Sequence, residues 1–146
     1  MMKVITRVDS IEDANKCDEL LTLLIQDECN YDNSLDKNFV VKDYFKNVIN
    51  NKDNILLSYK IDNIIVGYAY FKPINNDDKH GYLIDGLYVL DEYRNQGIAK
   101  SLIKEGLNII GKVDYIDINV MCDNTIARKL YSSLGFKDFK ITMRQS

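Results

Sequence analysis

The chain has no tryptophan, one proline, one histidine and three cysteines in 146 residues. A lone histidine rules out a histidine-rich metal centre. Cys17, Cys29 and Cys122 are odd in number and share no Cys-x-x-Cys or Cys/His ligand spacing, which speaks against a disulfide framework or a zinc site. Long apolar runs are also missing. The longest, Ile64 to Phe71, is too short to span a bilayer, and Met1 to Arg7 lacks the apolar core and small-residue end of a secretory leader. These absences predict a soluble, cytoplasmic protein with no membrane partner. Basic excess is lacking too. A net charge of −3 and a pI near 5.1 argue against nucleic acid or an anionic membrane as partner and favour a cationic or neutral small molecule.

What is present fits one globular domain over residues 1–146, long enough to bury roughly 68–70% of its unfolded surface. Lys3 to Val8 reads as a strand. Ser10 then caps a helix carrying Ile11, Ala14, Leu20, Leu21, Leu24 and Ile25 at near-helical period, ended by the polar stretch Asn30 to Asp36. Phe39, Val40, Tyr44, Phe45, Val48 and Ile49 predict a second helix ending near Asn50, the two together forming a lid. Ile55–Lys60 and Ile64–Phe71 read as the strands of a hairpin joined by the turn Ile61-Asp62-Asn63, Pro73 closing the second strand, followed by a loop from Ile74 to Lys79. A strand from Tyr82 to Val89, a helix from Gly97 to Gly111 and a strand from Tyr115 to Cys122 imply a parallel crossover. Asp123 or Asn124 caps a last helix ending on Gly135, and Phe136 to Met143 is expected to return to the sheet.

The most informative stretch runs from Tyr82-Leu83-Ile84-Asp85-Gly86-Leu87-Tyr88-Val89 into Arg94-Asn95-Gln96-Gly97-Ile98-Ala99. A helix start leaves N–H groups without partners and carries about half a positive charge, while Gly97 and small Ala99 let a diphosphate approach the main chain. No Gly-Lys-Ser/Thr follows and the three-glycine dinucleotide fingerprint is absent, so a different phosphate-bearing ligand is indicated. Downstream stands Asn124-x-x-Ala127-x-x-x-Tyr131-x-x-x-Gly135-Phe136. The two motifs, ordered in this way, resemble the GNAT superfamily of acyl-CoA-dependent N-acetyltransferases, and the element order extends the resemblance along the whole chain.

The resemblance implies an α/β fold with a mixed, mostly antiparallel central sheet, a splayed parallel strand pair whose first member, before the cradle, is bulged, about four flanking helices and, here, a shortened C-terminal strand region. It implies acetyl-CoA as co-substrate, no metal, and a primary amine, small-molecule or peptide, attacking directly in a ternary complex. Arg94, Asn95, Gln96, Gly97, Ile98 and Ala99 would cradle the diphosphate. The backbone of Leu87, Tyr88 and Val89 would hold the thioester and pantetheine arm, with the Leu87 N–H as oxyanion donor. Asn124 matches the asparagine beside the pantetheine, Tyr131 the tyrosine that protonates the departing thiolate, and Asp85, expected on the same strand face as Leu87 and Val89, a carboxylate base.

Each residue also has a plainer reading. Asn124 suits an N-cap, Tyr131 a core position, Asp85 an ordinary strand carboxylate, and Cys122 a small buried residue rather than a nucleophile. Glu28, Asp32 and Asp36 either meet a cationic substrate or form a solvated loop. After Phe136 only ten residues follow, too few for two strands, which leaves the acceptor pocket open or completed by a partner subunit in a homodimer. A non-catalytic acyl-CoA-binding or regulatory module, and transfer of a longer acyl group, are the competing functions.

Overall fold

The computed structural model describes residues 1–146. Five strands form one sheet in the order β1 (Lys3–Arg7), β2 (Ile55–Ile61), β3 (Ile64–Asn76), β4 (Lys79–Val89) and β5 (Tyr115–Ile118). The first four pair antiparallel and β5 runs parallel to β4. The sheet is thus mixed and mostly antiparallel, as the sequence implies.

Helices α1 (Ile11–Glu28) and α2 (Phe45–Val48) cover one face, and α3 (Ile98–Ile110) with α4 (Thr125–Ser133) covers the other. Ser10 Oγ accepts the Asp13 N–H at 3.2 Å and starts α1, whose Ala14, Cys17 and Leu20 bury against Leu56, Tyr68 and Tyr70. On the opposite face Ile98, Leu102 and Ile103 of α3 pack on Val66, Ala69 and Phe71. Gly106 is required there, because any Cβ would collide with the ring of Phe71.

Four expectations need correction. Pro73 does not close β3, which continues to Asn76 and turns into β4 at Lys79, so residues 74–79 form a hairpin rather than a loop. β2 reaches only as far as Phe71, so Pro73 lies where β3 has no neighbour on that side and a missing N–H costs no ladder bond. The second helix is confined to Phe45–Val48. Asp43 takes a left-handed φ of 59°, and the N–H groups of Val41 and Phe45 are claimed by Thr22 Oγ and Asp18 Oδ1 of α1, each at 3.0 Å, so the 39–44 segment lies along α1 instead of coiling. β5 stops at Ile118, four residues before Cys122, which is exposed rather than buried.

Finally, no strand follows α4. Phe136 anchors on the core, but Phe139, Ile141 and Met143 are exposed, and ion pairs of Arg128 with Asp138 at 2.9 Å and Arg144 with Asp32 at 3.0 Å draw the tail along other surfaces. β5, one of the two edge strands, is four residues long.

Asp18 is buried and receives the Phe45 N–H, so Asp18→Ala strands a buried donor and removes one of the two side-chain bonds that hold the 39–45 segment to α1. The expected cost is about 1–3 kcal/mol, read as a lower urea midpoint with an unchanged slope.

Candidate active site

The centre of the site is a single extra residue in β4. Gly86 pairs with Tyr70 and Ile84 with Phe71, leaving Asp85 without a partner across the β3–β4 ladder. Such a bulge bends the strand and raises its twist. On its other side β4 pairs with β5 only from Gly81 to Ile84, so from Asp85 to Val89 its backbone faces an opening where β5 has ended. Which groups face that opening follows from the ladder. Leu90 donates to Val66 O at 2.9 Å, and alternation then turns the N–H groups of Tyr88 and Gly86 toward β3 and those of Val89 and Leu87 away from it. The Val89 carbonyl agrees, since it accepts Arg94 Nε at 2.9 Å.

The bulge also overturns one expectation. Leu87 and Val89 pack on the α3 face, whereas Asp85 lines a cleft with Tyr68 and Tyr70 on the α1 face. An unbroken strand would place all three on one side, but the inserted residue shifts the alternation by one.

Beyond β4 the chain makes a 3-10 turn at Asp91–Tyr93 and enters α3 through Asn95 at φ 63° and Gly97 at φ 78°. The left-handed Gly97 needs glycine, and the space beside it is open. The N–H groups of Asn95, Gln96, Gly97, Ile98, Ala99 and Lys100 donate to no protein acceptor. Successive unpaired donors at the start of a 13-residue helix form a cradle for an anion. Ile98 contributes only its amide, because its side chain is buried in the core. The Arg94 guanidinium turns away from the cradle. It bonds Val89 O, pairs with Asp27 at 3.2 Å and Asp91 at 3.3 Å, and lies 5.1 Å over the ring of Tyr88, tying the loop to β4 and α1.

From α4, Asn124 Oδ1 accepts the Ala127 N–H at 3.2 Å, so its carbonyl oxygen caps the helix while its amide nitrogen makes no bond. Tyr131 packs on the α3-side core with its ring 6.3 Å from that of Phe136. Burial, with a smaller push from Glu28, raises its phenol to about 12. Glu28, at the end of α1, feels Asp85 as well, so Tyr131, Glu28 and Asp85 share one neighbourhood although they come from three elements.

The cleft holding Asp85 measures about 580 Å³, within the usual range for small-molecule sites. Its walls include Tyr44, Phe45, Tyr68, Tyr70 and the 39–42 segment, and its acids are Glu28 and Asp85. Burial raises both carboxyls above the ordinary range. Asp32 and Asp85 push Glu28 further up, while Lys72 partly offsets the effect on Asp85. The tyrosine walls were not singled out by sequence reasoning. Their signal was the Tyr68-x-Tyr70 alternation on β3, which places two rings on one sheet face.

The comparisons with known proteins agree with this geometry. Residues 19–136 match the family described as Acetyltransferase (GNAT). An N-alpha-acetyltransferase of Saccharolobus solfataricus is 31% identical over 93 residues, which is 61% of this chain and 54% of that protein; the chain thus spans about half the length of such curated relatives. Among solved structures, a mutant of the BH1408 protein from Bacillus halodurans superposes with a TM-score of 0.82 at 19% identity over 98% of both chains. A ribosomal-protein-alanine N-acetyltransferase from Brucella melitensis gives 0.69 at 19% identity over the full length of both. With strand splay, anion cradle and family match coinciding on the same residues, the chain belongs to the GNAT acetyltransferase family.

Proposed function

We propose that residues 1–146 form one N-acetyltransferase domain that moves the acetyl group of acetyl-CoA to a primary amine. The observation that carries this reading is the run of unpaired amides from Asn95 to Lys100 beside an open, left-handed Gly97, aligned with the free backbone of Leu87 and Val89. A diphosphate fits the first and an extended amide-bearing arm fits the second.

In this reading the amides of Gln96, Gly97, Ile98 and Ala99 hold the diphosphate and Asn95 flanks it. Arg94 keeps the loop in place through Val89 and Asp27 rather than by touching phosphate. Leu87 and Val89 align the pantetheine arm by the main-chain N–H groups that face the opening, while the main chain of Tyr88 is taken by β3, and the unbonded amide nitrogen of Asn124 is available to the arm. The Leu87 N–H faces the opening and stabilises the oxyanion that develops on the thioester carbonyl, a contribution of several kcal/mol when such a donor is preorganised.

The acceptor amine enters the cleft on the α1 face as an ammonium. Asp85 takes one of its protons, directly or through water, so that nitrogen attacks the carbonyl carbon as the C–S bond breaks; a second N–H proton then passes to the departing thiolate, leaving a neutral amide and CoA thiol. A carboxyl raised by burial is a better base than an ordinary one. Tyr131 donates a hydrogen bond to the departing sulfur. With its phenol at about 12 and a thiol ordinarily near 8.5, Tyr131 keeps its proton at rest and strengthens that bond only as charge builds on sulfur.

Thiol release from acetyl-CoA, measured against polyamines, aminoglycosides, amino acids and peptide N-termini, tests the proposal. Release with at least one amine is expected; binding of acetyl-CoA without release for any of them points instead to a non-catalytic module. Tyr131→Phe should lower kcat by roughly 10- to 100-fold with coenzyme affinity retained, and unchanged turnover removes Tyr131 from the reaction.

Asp85→Asn separates stability from activity. The folded protein keeps the Asp85 proton to a higher pH than the unfolded chain does, so ionisation of Asp85 lowers stability as pH rises past the ordinary aspartate value. The variant should therefore show a higher Tm than the parent at pH 7, an equal one at pH 3, and a kcat/KM reduced by about 100-fold or more. Equal Tm at both pH values contradicts the desolvation of Asp85.

A further inference from the structure

Glu28 and Asp85 are the acids in a cleft otherwise walled by aromatic and aliphatic side chains. They reach it from different elements, the end of α1 and the bulge of β4, and line one cleft. Two carboxylates in one largely apolar cleft, Glu28 half-buried and Asp85 at its open side, favour a cation that joins them. No protein cation forms an ion pair with either acid, and Lys72 acts on Asp85 only from a distance. Arg144 pairs with Asp32, Arg94 with Asp27 and Asp91, and Lys42 and Lys72 form no ion pair with either acid. A third polar group sits beside them. Tyr68 lines the same cleft, its hydroxyl is buried against Gly86 next to Asp85, and it has no hydrogen-bond partner.

Resting on the transferase reading above, we propose that Glu28, Asp85 and the Tyr68 hydroxyl together receive one ammonium group, and that the acceptor is an apolar-bodied primary monoamine with no carboxylate beside the nitrogen. The donor count fits. An ammonium has three N–H groups, and the site offers three acceptor groups from three elements. Loss of one proton to a carboxylate then leaves the nitrogen lone pair for attack on the acetyl carbon, while the other two N–H groups keep their acceptors.

The rest of the molecule must suit the remaining walls. Leu21, Leu24, Phe39 and Val40 offer apolar surface and no acceptor for a second ammonium, and the cation on that wall is Lys42. A diamine would therefore place its distal charge against hydrocarbon or against a like charge. An amino acid fails differently. Its carboxylate is two bonds from the reacting nitrogen, so it must approach Glu28 and Asp85 wherever Lys42 lies.

Norleucine and 1,5-diaminopentane each differ from pentylamine by a single charged group, and a C-terminally amidated peptide beginning with leucine adds uncharged amides. Thiol release with each should rank pentylamine first in kcat/KM, with norleucine about 100-fold lower and the diamine at least 10-fold lower. Glu28→Gln keeps the shape and removes one charge. It should raise KM for pentylamine by about 10-fold with kcat nearly retained, and shrink the pentylamine-to-norleucine ratio by a similar factor, which a purely structural role for Glu28 would not do.

Release with norleucine, the diamine or the peptide equal to or above that with pentylamine overturns the inference while the transferase reading stands. A ratio unmoved by Glu28→Gln does the same for the part assigned to Glu28. Acetyl-CoA binding without release for any of the four amines or for the wider panel overturns the transferase reading itself.

Discussion

One inserted residue governs this molecule. Asp85 has no partner on β3, and the bend it creates ends the β4–β5 ladder at Ile84, so the backbone of Leu87 and Val89 opens to one side while Asp85 turns to the other. Without the bulge, β5 would continue alongside β4 and satisfy those main-chain groups within the sheet. The same bulge puts the base on the α1 face and the oxyanion donor in the strand opening, so the two sides of the reaction meet across one strand. The α3 cradle completes the arrangement, because the 3-10 turn after Val89 delivers the chain directly into a helix start with free amides.

The site exacts a stability cost at known places. Burial raises the carboxyls of Glu28 and Asp85, the hydroxyl of Tyr68 has no partner, and the helix α4 that carries Tyr131 buries no residue completely. These groups oppose folding and favour a ligand that satisfies them. Compensation comes from the two apolar layers, above all Leu102 and Ile103 against Phe71 on one face and Phe45 against Tyr68 on the other.

Much of this was legible from the residues. Apolar periodicity located α1, α3 and α4, and Ser10 and Asn124 marked caps that the structure uses. The Asp62-Asn63 turn, with both residues at positive φ, has the form that a two-residue hairpin demands. What stayed hidden depends on contacts between distant segments. Residues 39–44 look helical until Thr22 and Asp18 of α1 take the amides of Val41 and Phe45. Alternation placed Asp85 beside Leu87 because a bulge leaves no mark in residue type. The alternating Phe139, Ile141 and Met143 resemble a strand, yet all three are exposed, and Arg128–Asp138 and Arg144–Asp32 ion pairs tie the tail elsewhere.

Amide chemical shifts recorded while acetyl-CoA is titrated into the protein test the central claim, that the bulged strand and the helix start hold one ligand together. Our account predicts that the signals of residues 95–100 and those of Leu87 and Val89 move along a single saturation curve. Movement confined to other regions, or cradle amides that shift while Leu87 and Val89 stay still, would contradict it.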